Sequence, residues 1–154
     1  MIGINNLTVS LINEEFLREI VRRALRGENL KGEKELSVVL VGQGRMRNLN
    51  KRYRKKNRVT DVLSFDNLKN PVMKDDLGEI VICLREVKKN ARKLGVSFEE
   101  ELYRVLIHGL LHLLGYEHTK GKTAAEKMRK KEEYYLFQIK ELKNNLKHQI
   151  PSTK

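Results

Sequence analysis

Three of the chain's four histidines fall in one short run, His108-Gly109-Leu110-Leu111-His112-Leu113-Leu114-Gly115-Tyr116-Glu117-His118. His108 and His112 stand four residues apart, so on a helix they project from one face, one turn above the other. Gly115 can adopt the left-handed conformation that ends a helix, which lets the chain turn back and deliver His118 to the pair. Three neutral imidazoles can ligate Zn2+, or another divalent ion, and leave a fourth position for water. Structural zinc sites usually close with four protein ligands, so the pattern suits a catalytic centre with His108, His112 and His118 as metal ligands. One histidine among so many leucines would read as a hydrogen-bonded core residue; three at ligand spacing beside a helix-ending glycine read as a metal site. His148 stands in a polar tail and is expected to be exposed.

The His-x3-His-x5-His spacing is also that of metzincin-type zinc proteases, where a glutamate after the first histidine is the general base. Here that position is Gly109, which ranks peptide hydrolysis last. Upstream, Arg45, Arg47, Lys51, Arg52, Arg54, Lys55, Lys56 and Arg58 crowd one short stretch without an intervening acid. A charge run is often only a solvated face, but beside a metal site this one reads as a track for a phosphate backbone.

The histidine run, as His-Gly-x-Leu-His-Leu-x-Gly-Tyr-(Asp/Glu)-His, resembles the signature of the YbeY family, metal-dependent endoribonucleases and rRNA maturation factors of bacteria. The resemblance continues through Leu49-Asn50-(x2)-Tyr53-Arg54, Thr60-Asp61-Val62-Leu63-Ser64-Phe65 and Leu77-Gly78-Glu79-Ile80-Val81-Ile82, in the family's order, over about the middle half of the chain. Glu79 and Glu117 stand where aspartate is commoner. The resemblance implies a zincin-like α+β fold: a small mixed sheet of about four strands, packed by about five helices, with the metal-bearing helix central. It implies a single-strand-specific, metal-dependent endoribonuclease acting in 16S rRNA 3′-end maturation and ribosome quality control. The implied partners are rRNA of the small ribosomal subunit, small-subunit ribosomal proteins and an assembly GTPase.

In that chemistry a metal-activated water or hydroxide attacks the phosphodiester, and a cation must meet the charge that develops on phosphorus. The resemblance marks Arg54 as functional, and its planar fork suits phosphate oxygens. Lys55, Lys56 and Arg58 would extend the contact along the substrate backbone. Ser64 could donate a hydrogen bond to substrate, and Asp61 could orient a loop or an imidazole. Thr60 reads as turn chemistry, and Glu117 fits a proton relay or an exposed structural role equally well. A reading from another class stands beside the enzyme: an RNA-binding ribosome-assembly factor whose zinc only braces the fold.

The elements that must carry these residues follow from periodicity. Residues 2–9 read as a short strand, and Asn13 caps a helix over 14–26 that Gly27 ends. Residues 36–41 form an apolar, β-branched strand buried on both faces. Gly42 and Gly44 open a turn into a helix over 45–53, with Met46, Leu49 and Tyr53 on one side. Strands over 60–65 and 77–83 run antiparallel across a loop that contains Pro71. A basic amphipathic helix over 84–94 closes at Gly95. Ser97 and Glu100 make a capping box for the histidine helix, 98–114, whose first turn is acidic. Thr123 and Glu126 cap a last helix over 124–146, with a seam of Met128, Tyr135, Ile139, Leu142 and Leu146. One domain over 1–146 and a frayed polar tail over 147–154 complete the expectation.

Composition agrees with this reading. A chain of 154 residues with 40% hydrophobic residues can bury a core as one domain. A net charge of +12 favours an anionic partner, nucleic acid first. Cys83 is the lone cysteine, which excludes an internal disulfide and a cysteine-based zinc site. No basic, apolar leader opens the chain and no apolar run is long enough for a membrane, so a cytoplasmic protein is expected.

Overall fold

The computed structural model describes residues 1–30, 32–67, 72 and 75–149. In chain order the elements are β1 (Ile2–Asn6), α1 (Glu14–Gly27), β2 (Glu35–Val41), α2 (Gln43–Arg54), β3 (Val62–Asp66), β4 (Asp76–Cys83), α3 (Leu84–Leu94), α4 (Phe98–Leu113) and α5 (Lys122–Gln149). The four strands form one mixed sheet in the order β1-β2-β4-β3, with β1, β2 and β4 parallel and β3 antiparallel to β4. This is the α+β architecture expected, with the histidine helix α4 at its centre. Leu106, Leu110 and Leu111 of α4 are fully buried in a core shared with α1, α3, α5 and the sheet. On the other face α2 packs through a small cluster of Val41, Met46, Leu63, Val81 and Cys83.

Several boundaries differ from the expectation. β1 stops at Asn6 rather than residue 9, because the Asn6 side chain takes over the next turn. Its Oδ1 accepts from the Thr8 amide at 3.0 Å and its Nδ2 donates to the Ser10 carbonyl at 2.8 Å. α2 begins at Gln43, so Gly44 lies inside its first turn, and Lys55 ends it in the left-handed region. Thr60 and Asp61 precede β3 instead of forming part of it. β2 is fully buried at Leu36, Val38 and Leu40 but only partly at Ser37 and Val39, so its second face is covered less than its composition suggests. α5 starts before Thr123, just after Gly121 at φ 107°, and runs through Gln149, so residues 147–149 are helical rather than frayed. Its seam is buried at Met128, Tyr135 and Ile139 and reaches solvent at Leu146. Pro71, the rest of the tail and the exposure expected of His148 lie outside the described residues.

The Asn13 cap appears as anticipated, as does the Ser97 arm of the expected capping box. The Asn13 side chain accepts from the Phe16 amide at 3.1 Å, and the Ser97 hydroxyl accepts from Glu100 at 3.1 Å. Gly27 has a different task from the one assigned by periodicity. It is the last residue of α1, and a Cβ there would sit 2.5 Å from the Tyr135 hydroxyl. Its bare backbone makes room for a tyrosine of α5.

Gly78 sets the sheet register. It has φ +123° and lies at the irregularity where β4 passes from Asp76 to Gly78 opposite Glu35 and Leu36 of β2. A Cβ at this position would lie 1.9 Å from the Phe65 carbonyl oxygen of β3. Gly78→Ala is therefore expected to destabilise the fold by about 2–4 kcal/mol, combining backbone strain with a clash against backbone. Urea denaturation reads the loss; an unchanged midpoint would show that β3 moves aside freely.

Candidate metal centre

α4 is apolar on nearly every side, yet one stripe along it is polar: Glu101, Arg104, His108 and His112 recur at helical spacing. At its start, Arg104 donates two bonds of 2.7 Å to Glu101, a carboxylate only 1% exposed. At its end stand the two helical histidines. The chain then reverses through a glycine-capped turn in which the Gly115 amide donates to the His112 carbonyl at 3.0 Å and the Tyr116 amide to the Leu111 carbonyl at 3.0 Å. Gly115 sits at φ +100°, the conformation anticipated for it. That reversal brings His118 back over the helix.

The three rings converge. Their centroids are 4.7 Å apart for His108 and His112, 5.5 Å for His108 and His118, and 5.2 Å for His112 and His118. One nitrogen from each can be chosen so that all three lie within 4.8 Å of one another. Tetrahedral Zn–N bonds would place nitrogens about 3.4 Å apart, so the separation of the trio is of the order that one ion's ligands require. Burial, followed by repulsion from His108 and His118, pushes the His112 imidazole below its ordinary pKa. The neutral ring is the ligand form. The donor set fits a divalent ion with borderline-soft preference, and His118 is exposed enough for solvent or substrate to reach it.

A carboxylate knot holds the turn that carries His118. Glu28, just past α1, accepts from the Tyr116 hydroxyl at 2.6 Å, from Lys131 Nζ at 3.0 Å and from the Tyr135 hydroxyl. Burial alone would raise the Glu28 pKa, but these donors outweigh it and hold the carboxyl below its ordinary value. The two phenols move the other way: burial and the Glu28 charge push Tyr116 up to about 12 and Tyr135 higher still.

The other anticipated residues divide. Arg54, at the end of α2, donates from Nη2 to the Ser64 carbonyl at 2.8 Å, and its guanidinium lies 5.3 Å from the Phe65 ring centre. The Ser64 hydroxyl donates to the Gly109 carbonyl at 3.2 Å. Arg54, Ser64 and the residue after His108 thus form one connected path. Lys55, Lys56 and Arg58 are exposed on the following loop, which Asn50 secures by donating to the Arg58 carbonyl at 3.0 Å. Asp61 is a loop anchor: its carbonyl accepts from Cys83 at 2.8 Å and its side chain from Asn90 at 3.4 Å. Glu117 is paired with Lys120 at 3.3 Å on the surface. Gly109, where a metzincin carries its base, faces the sheet; a Cβ there would lie 2.9 Å from Ile80 and 3.2 Å from the Ser64 hydroxyl.

With this geometry in view, comparison with known proteins is decisive. The family model described as Endoribonuclease YbeY matches residues 4–140. The chain belongs to the YbeY family. A YbeY relative named Endoribonuclease YbeY, from Petrotoga mobilis, is 39% identical over 88% of this chain and 92% of its own length. Another of that name, from Thermodesulfovibrio yellowstonii, is 46% identical over 68% of this chain and 67% of its own. The solution structure of TM1509 from Thermotoga maritima matches with a TM-score of 0.67 at 30% identity, covering 100% of this chain and 99% of that one. The YbeY motifs quoted from the sequence now have physical content: Leu77-Gly78-Glu79 carries the glycine that β3 requires, and His-Gly carries the glycine that the sheet requires.

Two carboxylates of this YbeY chain escaped sequence reasoning. Glu28 sits in what reads as a charged surface loop. Glu132 of α5 contacts Nδ1 of His108. Its signal was a gap: the α5 seam steps by seven from Met128 to Tyr135, and Glu132 fills the missing inward position. Glu28→Gln is expected to cost about 2 kcal/mol through weakened bonds to two phenols and an ammonium. Its pH signature follows from linkage. In wild type, the Glu28 contribution is lost as pH falls below about 4.5 and through the lowered folded value. The tyrosine contribution is present below pH 10 and lost as pH rises from there through about 12 for Tyr116. Unfolding across this range should show both limbs in wild type and both reduced in Glu28→Gln; superimposable profiles would count against the knot.

Proposed function

We propose that this chain is a metal-dependent endoribonuclease that cleaves single-stranded RNA, with His108, His112 and His118 as ligands to one Zn2+ ion. The observation that carries the reading is the convergence of three imidazole nitrogens in a YbeY-family chain whose membership is established over residues 4–140. A divalent ion held there supplies Lewis-acid polarisation of a phosphodiester and a water acidic enough to react near neutral pH.

The chain's own groups do the rest. His108 and His112 are fixed by a buried helix, and His118 by a tied turn, so the ligand positions are set before metal or substrate arrives. Arg54 meets the charge developing on the phosphoryl group. Its Nη2 is tied to the Ser64 carbonyl and its plane lies by the Phe65 ring, which aims a fork suited to phosphate oxygens. Ser64 acts by joining β3 to α4 and supports Arg54, instead of contacting substrate directly. Lys55, Lys56 and Arg58 lie next to Arg54 in sequence and extend the cationic surface along the RNA backbone. Position 109 offers no general base, because any side chain there would be driven into Ile80.

The RNA is rRNA of the small subunit, and the biological setting is 16S rRNA 3′-end maturation and ribosome quality control in the cytoplasm. Small-subunit ribosomal proteins and an assembly GTPase are the protein partners. The support is the family resemblance and the net charge of +12.

Two variants test the division of labour. His112→Ala should abolish zinc uptake, measured by elemental analysis, together with cleavage of single-stranded RNA. Arg54→Ala should retain zinc and lose cleavage by about 100-fold or more, with Arg54→Lys recovering little because an ammonium lacks the fork. Cleavage by metal-free His112→Ala at the wild-type rate would overturn the catalytic metal, while wild type that binds zinc and RNA but cleaves none would leave RNA binding, with zinc as a brace, as the better reading.

A further inference from the structure

Glu132 occupies an inward position of α5 that helical spacing reserves for the core. Met128, Tyr135 and Ile139 on the same face are all buried. A carboxylate there must have a partner, since burying an unpaired charge is costly. Its partner is Nδ1 of His108, contacted by Oε1 of Glu132, with the two side chains only 16% and 25% exposed. Arg104, whose charge also feels Glu132, is already committed to Glu101 through two bonds. An ionised carboxylate only accepts, so the proton of this hydrogen bond belongs to Nδ1. The ring then has one lone pair left, on Nε2.

We propose that Glu132 is the positioning residue for His108: it fixes the imidazole as the Nδ1–H tautomer, orients the ring and leaves Nε2 as the atom offered to the metal. The proposal rests on the metal-centre reading above. It makes α5 part of the site although α5 supplies none of the three histidines. Carboxylates that hold the second nitrogen of a ligating histidine raise its basicity and typically contribute about 10–100-fold to metal affinity.

The test uses the full chain as wild type, Glu132→Gln, Glu132→Ala and His112→Ala. Each is stripped of metal and titrated with Zn2+ against a chromophoric chelator. Long-range 1H–15N spectra of the histidine side chains report the His108 tautomer in the metal-free state. Glu132→Ala should bind Zn2+ about 10–100-fold more weakly than wild type, and Glu132→Gln, whose amide oxygen still accepts, should fall in between. The wild-type His108 ring should show Nδ1–H, and the alanine variant a mixture. If Glu132→Ala does not fold, the nearly isosteric Gln variant decides.

Affinities within twofold of wild type overturn the proposal. So does a weakened affinity with an unchanged tautomer, which would reduce Glu132 to a bystander charge. A loss as complete as in His112→Ala overturns it in the other direction, making Glu132 a ligand. Wild-type protein that binds no zinc removes the metal-centre reading, while the tautomer spectra still decide whether Glu132 orients the ring.

Discussion

The approach of α4 to the sheet at Gly109 is the constraint on which the rest of the molecule depends. With no side chain at that position, the helix backbone lies close enough for the Ser64 hydroxyl to reach the Gly109 carbonyl. Ile80 and Val62 fill the space that a Cβ would claim. This spacing has consequences in two directions. It holds the helix that carries His108 against β3, and it brings β3, with Arg54 attached to its backbone, within one residue of the imidazoles. A protease-like glutamate at the same position could not face a substrate without lifting the helix off its core. The chemistry a hydrolase can perform is thus limited here by packing before it is limited by the choice of catalytic groups.

Around that contact, acidic side chains perform most of the alignment in a protein of net charge +12. Glu101 holds Arg104, Glu132 meets His108, and Glu28 gathers Tyr116, Tyr135 and Lys131. Each lies at least partly buried, where a charge–donor pair is worth more than on the surface. The abundant lysines and arginines of the loop after α2 are left exposed. The charges that organise the site and those available to an RNA backbone are therefore separate populations, and the first can be optimised without spending the second.

The sequence was most legible where chemistry and helical period coincide. His108 and His112 are separated by one turn, Gly115 announces the reversal, and Ser97 and Asn13 announce the caps, so these features could be placed without coordinates. The four strands were legible in type, and the antiparallel pairing of β3 with β4 in advance, whereas the parallel pairing of β1, β2 and β4 joins segments far apart in the chain and was not. What could not be read was anything arising from two distant segments meeting. Glu28 and Tyr116 are far apart in the chain, and nothing local marks Glu28 as more than a loop residue. Gly27 looks like a helix terminator until Tyr135 arrives against it. The Asn6 side chain ends β1 by capturing a turn, a competition that propensity alone does not resolve. Ser64 carries a donor that suits a substrate and spends it on α4 instead.

The three histidines are mounted with unequal stiffness. Two ride on the most deeply packed helix, while the third sits on a short turn held from outside by one carboxylate and two phenols. Any ion such a trio would hold would take two of its bonds from a wall that the core keeps fixed and the third from a turn whose place depends on Glu28. Weakening that one carboxylate would therefore act on the third support and leave the other two untouched.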